Sequence, residues 1–296
     1  MDAPFTSAEA REQGLGRGAL RGPSVSRRLR GVYLPAQTPV NLAVEVAAAR
    51  KVLPSDALLD GCTALHAYGV EVGAAHPLRF VSAHPHQVRR PGVVVRRVGT
   101  LPPSGKPGMV GAEAAFRTAA LGLDLCELVA AGDRLLSQEL ASTTSLSEAA
   151  AAARGRGVVP LRRAVGLVRE GTDSVRETRL RLCLVLAGLP EPEVNPVVVV
   201  GGRQVGRVDL LLRAWRVVIE YEGDQHRTDR RQWNVDISRQ EQLVGADYLL
   251  IRVSAERMRH PRAVVAVVYR ALRERGWDGP PPTFDQEWHR LFPSAP

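Results

Sequence analysis

The chain has 296 residues, 45% hydrophobic and 24% charged, fractions ordinary for a globular protein that exclude a largely disordered one. No apolar run approaches the ~18–20 residues that span a bilayer. The start, Met1-Asp2-Ala3-Pro4-Phe5-Thr6, lacks the basic and apolar regions of a signal peptide, so a soluble cytoplasmic protein with no membrane partner is expected. Cys62, Cys126 and Cys183 lie far apart with no C-x-x-C pair, which excludes a disulfide framework and predicts small buried thiols.

The formal net charge is +9, and Lys51 and Lys106 are the only lysines among 40 basic residues. Arginine with abundant alanine, valine and glycine is what a GC-rich coding sequence yields unaided, so the distribution of charge says more than its total. Residues 1–100 carry 13 basic and 7 acidic side chains, whereas residues 171–296 carry 19 and 17. The excess includes Arg27, Arg28 and Arg30, which read either as a phosphate-facing surface or as a solvated basic face.

In chain order, Thr6-Ser7-Ala8-Glu9 has capping-box spacing and predicts a helix to Gln13. Gly14-Leu15-Gly16 breaks it, a second short helix runs to Arg21, and Gly22-Pro23 breaks again. Arg28 to Pro35 reads as a hairpin strand. This is the order of a winged helix-turn-helix, in which the second helix enters the major groove and the wing lies along the backbone. Phe5-Thr6, Ala10, Gly14-Leu15 and Leu29-Arg30-Gly31-Val32-Tyr33 resemble the AbiEi-type antitoxin family of type IV toxin–antitoxin systems. Gly61-Cys62-Thr63-Ala64-Leu65-His66-Ala67-Tyr68-Gly69 and Phe116-Arg117-Thr118-Ala119 extend the resemblance. It implies a winged helix that binds promoter DNA, a following domain with separate duties, and a cognate toxin-like or repair partner. The candidate recognition helix, Gly16 to Arg21, is short and holds two glycines.

Farther on, Leu42 to Leu53 and Asp124 to Leu140 have helical periodicity, while Leu78 to Ser82 and Gly92 to Val98 read as strands. Leu101 to Gly108 is a Pro/Gly-rich loop. Ser174-Val175-Arg176-Glu177 opens a helix to Ala187. Val194 to Val200 is a strand, Gly201-Gly202 a hairpin turn, Arg203 to Leu212 the returning strand, and Trp215 to Glu222 a third strand. A helix with Trp233, Ile237 and Val244 on one face follows, then a strand from Tyr248 to Val253 and a helix from Pro261 to Arg275. The order is α-β-β-β-α-β-α.

A two-residue turn at Arg213-Ala214 would pair Leu212 with Trp215, Asp209 with Val218 and Arg207 with Glu220. Asp209, Glu220 and Glu222 then share one face, within roughly 5–8 Å of one another. Val208, Leu210, Val217, Ile219 and Tyr221 take the other. A four-residue loop would keep that parity and a three-residue loop would break it. Carboxylates so placed repel one another unless a cation sits between them, and hard oxygen ligands suit Mg²⁺ or Mn²⁺. His226, four residues after Glu222, is placed to orient or deprotonate a water, or to protonate a leaving oxygen. The alternative is ordinary ion pairing, Arg207 with Glu220 and Arg216 with Glu222; the pattern leaves both open. Glu177 is a helix cap or a site acid. Asp236 and Arg239, three apart, read as a structural ion pair. Arg227, Arg230 and Arg231 form a phosphate-contact strip or a solvated helix start.

The text Glu177-Thr178-Arg179-Leu180-Arg181, Val194-Asn195-Pro196, Val208-Asp209-Leu210 and Val218 to Arg227 resembles a second family, with Asp236-Ile237-Ser238-Arg239 and Leu249 to Val253. This is a domain-of-unknown-function group related to very-short-patch-repair endonucleases, within the PD-(D/E)XK nuclease superfamily, whose core order is α-β-β-β-α-β. The resemblance implies that Asp209 and Glu220 bind the metal and that Glu177 is the helix acid near the site. It also implies that Glu222 stands where many members hold the catalytic Lys, with His226 compensating.

The chain is therefore read as α/β. A small winged helix-turn-helix (1–38) is followed by an α/β middle domain (39–170), a restriction-endonuclease-like domain (171–277) and a Pro-rich tail (278–296). Two functions are expected of it. One is a Mg²⁺- or Mn²⁺-dependent endonuclease-like hydrolase acting on DNA, with Asp209, Glu220, Glu222, His226 and Glu177 at the site. The other is a DNA-binding antitoxin-like regulator whose nuclease fold is inactive.

Overall fold

The structure, a computed structural model, describes residues 3–222 and 230–294, with the side chains of the helix beginning at Arg230 described from residue 238. It is an α/β chain that divides into two compact units, residues 1–123 with 144–162 and residues 124–143 with 163–296. Among the described residues no helix is long and apolar enough to cross a membrane.

In the first unit, β1 (Phe5–Thr6) leads directly into α1 (Ser7–Glu12). The expected capping box is formed: Glu9 N–H donates to Thr6 Oγ1 at 3.2 Å, and Thr6 N–H donates to the Glu9 carboxylate at 2.7 Å. The expected second helix is instead a three-residue 3₁₀ turn, Ala19–Arg21, with no side-chain cap. Gly16 and Gly18 raise the entropy cost of ordering a helix there, and Gly22-Pro23 stops it. A groove-reading helix of useful length is therefore not built from these residues. The single expected strand is a hairpin, β2 (Val25–Leu29) and β3 (Val32–Pro35), extended by β1 in the order β1-β3-β2. Arg27, Arg28 and Arg30 are exposed along its β2 side and turn.

Next come α2 (Leu42–Arg50), β4 (Leu58–Leu59), α3 (Gly61–Ala67), β5 (Leu78–Ser82), β6 (Val93–Arg97) and α4 (Ala112–Ala119). Strands β5 and β6 lie where hydrophobicity placed them and pair in parallel, with Leu78, Phe80, Val81, Val93 and Val95 buried. The following helix α5 (Leu125–Ser137) lies in the second unit, although it precedes α6 (Thr143–Ala152) and α7 (Val158–Leu167).

The second unit continues with α8 (Val175–Val185), β7 (Glu193–Val194), β8 (Val197–Val200), β9 (Arg203–Arg207), β10 (Leu210–Leu212) and β11 (Val217–Glu222). It closes with α9 (Arg230–Gly245), β12 (Leu249–Ser254), α10 (Pro261–Glu274) and α11 (Gln286–Leu291). The predicted order is present, but each of its first two strands is broken in two. The first breaks at Asn195-Pro196, where Asn195 has φ 48° and proline brings no ladder donor. The second breaks at Val208-Asp209. Strands β8 and β9 form a separate hairpin around Gly201 (φ 56°) and Gly202 (φ 78°), the two positive φ values that a tight two-residue turn demands. The remaining strands form one sheet, β12-β11-β10-β7, in which β11 and β12 run parallel.

The turn at 213–214 is longer than expected. Leu212 pairs with Val217, so residues 213–216 form a four-residue loop, a 3₁₀ turn closed by left-handed Arg216. Leu210 faces Ile219, and one more step in that register sets Asp209 against Glu220. Parity is kept, whereas the expected opposition of Arg207 and Glu220 is lost. Arg207 lies in β9 opposite Val197.

Both sheet faces are covered, as is usual for strands in the middle of a mixed sheet. Leu210, Val217 and Ile219 are fully buried, and so are Leu211 and Val218 on the face that carries the acids. Leu211 and Val218 pack with Val198, Val208 and Leu243 of α9. Val244, expected on the buried side of that helix, is 57% exposed. The helix is turned by one residue, about 100°, from the expected orientation.

A second polar cluster sits between α5 and α8. The Asp133 carboxylate accepts from Arg169 N–H (2.7 Å), Thr178 Oγ1–H (2.7 Å), Thr172 Oγ1–H (3.2 Å) and Arg181 Nη2–H (3.4 Å). Arg181 also donates to Leu167 O and to the Glu191 carboxylate, both at 2.8 Å. The Pro-rich tail packs back on this unit: Trp288 is buried and its indole N–H donates to Cys183 O at 3.0 Å. All three cysteines are free and buried, and burial pushes the Cys126 and Cys183 thiols up to about 12.

Candidate functional site

Asp209 occupies the break between β9 and β10, just before the ladder with β11 begins. Its main-chain carbonyl accepts from Asn195 N–H at 2.8 Å. Its side chain stands in for the missing ladder acceptor, taking a 2.7 Å hydrogen bond from Tyr221 N–H. Strand parity then puts Glu220 beside it. From the first turn of α8 comes Glu177, whose carboxylate accepts from Ser174 Oγ–H (2.8 Å), Asp173 N–H (3.1 Å) and Asn195 Nδ2–H (2.8 Å). Glu177 is thus both a cap and a neighbour of the acid pair. Left-handed Asn195 joins the two, bonding Glu177 through its side chain and Asp209 through its backbone.

The electrostatics follow from this placement. Burial pushes the Asp209 carboxyl above its ordinary value, and the nearby negative charge of Glu177 adds to that; the Tyr221 N–H, Arg239 and Arg207 act in the opposite direction. The cation that answers the pair is Arg239 of α9, which forms an ion pair with Glu220. Leu243, one turn along the same helix, packs under the sheet, which fixes the side from which Arg239 arrives. The backbone of Gly206 makes room for its stem: a Cβ there would lie 3.1 Å from Arg239 Cδ, at φ 147°. Burial lowers the guanidinium pKa of Arg239 while Asp209 raises it, and its buried Nε has no hydrogen-bond partner among the described residues.

Several expected pairings are replaced. Glu222 pairs with Arg252 of β12 at 3.3 Å, not with Arg216. Arg216 instead lies 3.7 Å from Asp247, and Arg207 forms an exposed ion pair with Asp173. Arg239, expected to pair with Asp236, serves Glu220; the Asp236 side chain lies outside the described residues. His226 and Arg227 also lie outside them, as do the side chains of Arg230 and Arg231. Among the described residues no group of three His, Cys, Asp or Glu side chains is arranged to hold a metal ion. An arginine stands against each glutamate, Arg239 against Glu220 and Arg252 against Glu222.

Sequence reasoning missed Arg239 and Asn195 as parts of this site. The signal for Arg239 is its four-residue spacing from buried Leu243. For Asn195 it is the Asn-Pro step inside an apolar run, which marks a backbone turn where a side-chain amide becomes available. No protein-family model, no curated protein and no solved structure matches the chain.

Proposed function

We propose that the second unit is a divalent-ion-dependent nuclease of the PD-(D/E)XK type acting on DNA phosphodiester bonds. The observation that carries this reading is Asp209: a half-buried acid with a raised pKa, set against Glu220 and electrostatically opposed by Glu177. Such an arrangement costs stability unless a cation serves it. The α-β-β-β-α-β order and the sheet with one parallel edge pair support the same reading.

Asp209 and Glu220 are the residues that would hold Mg²⁺ or Mn²⁺, with Glu177 completing the negative field. They fit a hard cation chemically, because the Asp209 carboxylate accepts one hydrogen bond among the described residues and keeps further acceptor capacity. When bound, the ion supplies Lewis-acid stabilisation of the charge that builds on a phosphodiester during hydrolysis. Arg239 neutralises Glu220 and would offer its guanidinium to a phosphate oxygen if a cation took its place on the carboxylate, a role that Glu222 cannot fill. His226 is the candidate for moving the proton.

Nicking of supercoiled plasmid by the full chain, with Mg²⁺, Mn²⁺ or EDTA, tests the proposal. Metal-dependent nicking that disappears in Asp209→Ala and Glu220→Gln is expected. A folded protein whose melting temperature does not respond to either metal and that cuts no DNA would overturn it.

A second reading rests on Arg27, Arg28 and Arg30, exposed on one hairpin. In that reading the first unit is an antitoxin-like DNA binder and a toxin-like protein is its partner. With one 3₁₀ turn where a recognition helix would lie, its contacts are to phosphate and carry little base readout. Gel shifts in which affinity falls steeply with salt, and less so after the three arginines are changed to alanine, would support it.

A further inference from the structure

The first unit contains a recessed pocket far in sequence from the acids of the second. Arg96 of β6, Arg117 and Thr118 of α4, Arg154 and Arg156 of the α6–α7 loop, and the first turn of α7 line a cavity of about 150 Å³. Among the described residues no acidic side chain lines it. Arg96 is answered by buried Asp60, which accepts from its Nε at 3.1 Å and its Nη2 at 2.7 Å. Arg154 turns its guanidinium to Ala151 O (2.7 Å) and Ala153 O (2.9 Å). Arg117 and Arg156 are exposed and have no ion-pair partner among the described residues. With Arg96 answered by Asp60, three guanidinium groups around one small concavity keep their charge without a carboxylate among the described residues, and an anion placed among them relieves their mutual repulsion.

Two further features favour phosphate in particular. Guanidinium forks match phosphate oxygens two at a time. A second cavity, of about 390 Å³, shares Arg96, Thr118 and Leu121 with the first and is walled by Phe80, Val94 and Leu123, with Asp60, His76 and Arg79 on its polar side. A charged recess therefore opens beside a largely apolar one. A terminal phosphate projects from its molecule and can enter a recess, whereas a backbone phosphodiester is flanked by chain on both sides.

We propose that the first unit binds a small molecule carrying a terminal phosphate. The phosphate lies among Arg96, Arg117, Arg154 and Arg156, and an apolar body occupies the adjoining cavity. The site is independent of the nuclease reading, because it uses none of the same residues.

Isothermal titration of the full chain with inorganic phosphate and with phenyl phosphate, at constant ionic strength, tests it. Both probes bind the wild type, phenyl phosphate more tightly. The double variant Arg117→Ala/Arg156→Ala weakens both by about tenfold or more while its melting temperature is unchanged, since both side chains are exposed. Val94→Ser, which changes the apolar cavity alone, weakens phenyl phosphate more than inorganic phosphate. Equal binding by wild type and the double variant would overturn the site, and so would absence of phenyl phosphate binding at millimolar concentration. A short duplex lacking terminal phosphates that binds in an Arg117- and Arg156-dependent way, when phenyl phosphate does not, would replace it with a nucleic-acid surface.

Discussion

Two aspartates of the second unit, buried Asp133 and half-buried Asp209, both feel a nearby arginine, and they are served very differently. Asp133 is completely enclosed, yet its carboxylate accepts four hydrogen bonds, two of them from threonine hydroxyls and one from fully buried Arg181. Asp209 is half-buried and among the described residues accepts one, while Arg239 is engaged by the neighbouring Glu220. Burial alone therefore does not mark a functional acid. What separates the pair is acceptor capacity: the first acid is a clamp between α5 and α8, and the second accepts a single hydrogen bond among the described residues.

The largest effect expected from testing this contrast is at the clamp. Asp133→Ala strands Arg181 in the core, with Glu191 as its remaining acid, and costs about 3–5 kcal/mol. Urea unfolding measures it, and a loss below about 1 kcal/mol would show that the clamp is not structural.

At the open site, Arg239→Ala leaves Glu220 without its cation and costs about 1–3 kcal/mol in EDTA. The same variant should be stabilised more by Mn²⁺ than the wild type, because the internal competitor is gone. Thermal melting with and without Mn²⁺ reads both, and equal metal responses would remove Arg239 from the site.

Ser174→Ala, which deletes the cap of α8 and one donor to Glu177, costs about 1 kcal/mol. If Glu177 also acts on Asp209, the variant alters metal affinity as well as stability, which separates a plain cap from a site acid.

The smallest effect concerns Asp209 and has an opposite sign to the clamp. Its folded pKa is raised, so the folded chain holds that proton more tightly than the unfolded chain does. Stability from this group is present at low pH and is lost as pH rises from the ordinary aspartate value of 3.8 through the raised folded value. Asp209→Asn escapes that loss while keeping an acceptor for Tyr221 N–H. It should melt slightly above the wild type at neutral pH, with the difference vanishing in acid. A wild type that outlasts the variant at pH 7 without metal would place Asp209 with Asp133 as a structural acid.

Sequence alone determined the elements whose causes lie within a few residues. The Thr6-to-Glu9 cap, the Gly201-Gly202 turn, strands β5 and β12 to within a residue, and the shared face of Asp209 and Glu220 all follow from local bonding or strand period. The 3₁₀ turn at Ala19–Arg21 was half legible, since its glycines were in view but the number of turns they leave was not. Tertiary structure decided the rest. A four-residue loop moved the β10–β11 register by two, which kept parity and changed every partner. The rotation of α9 by one residue buried Leu243 instead of Val244 and delivered Arg239 to Glu220. Local bonding sets which way a side chain points from its strand or helix. Which cation meets which acid depends on how whole faces pack, and that is a compromise over many distant contacts that no single stretch of sequence contains.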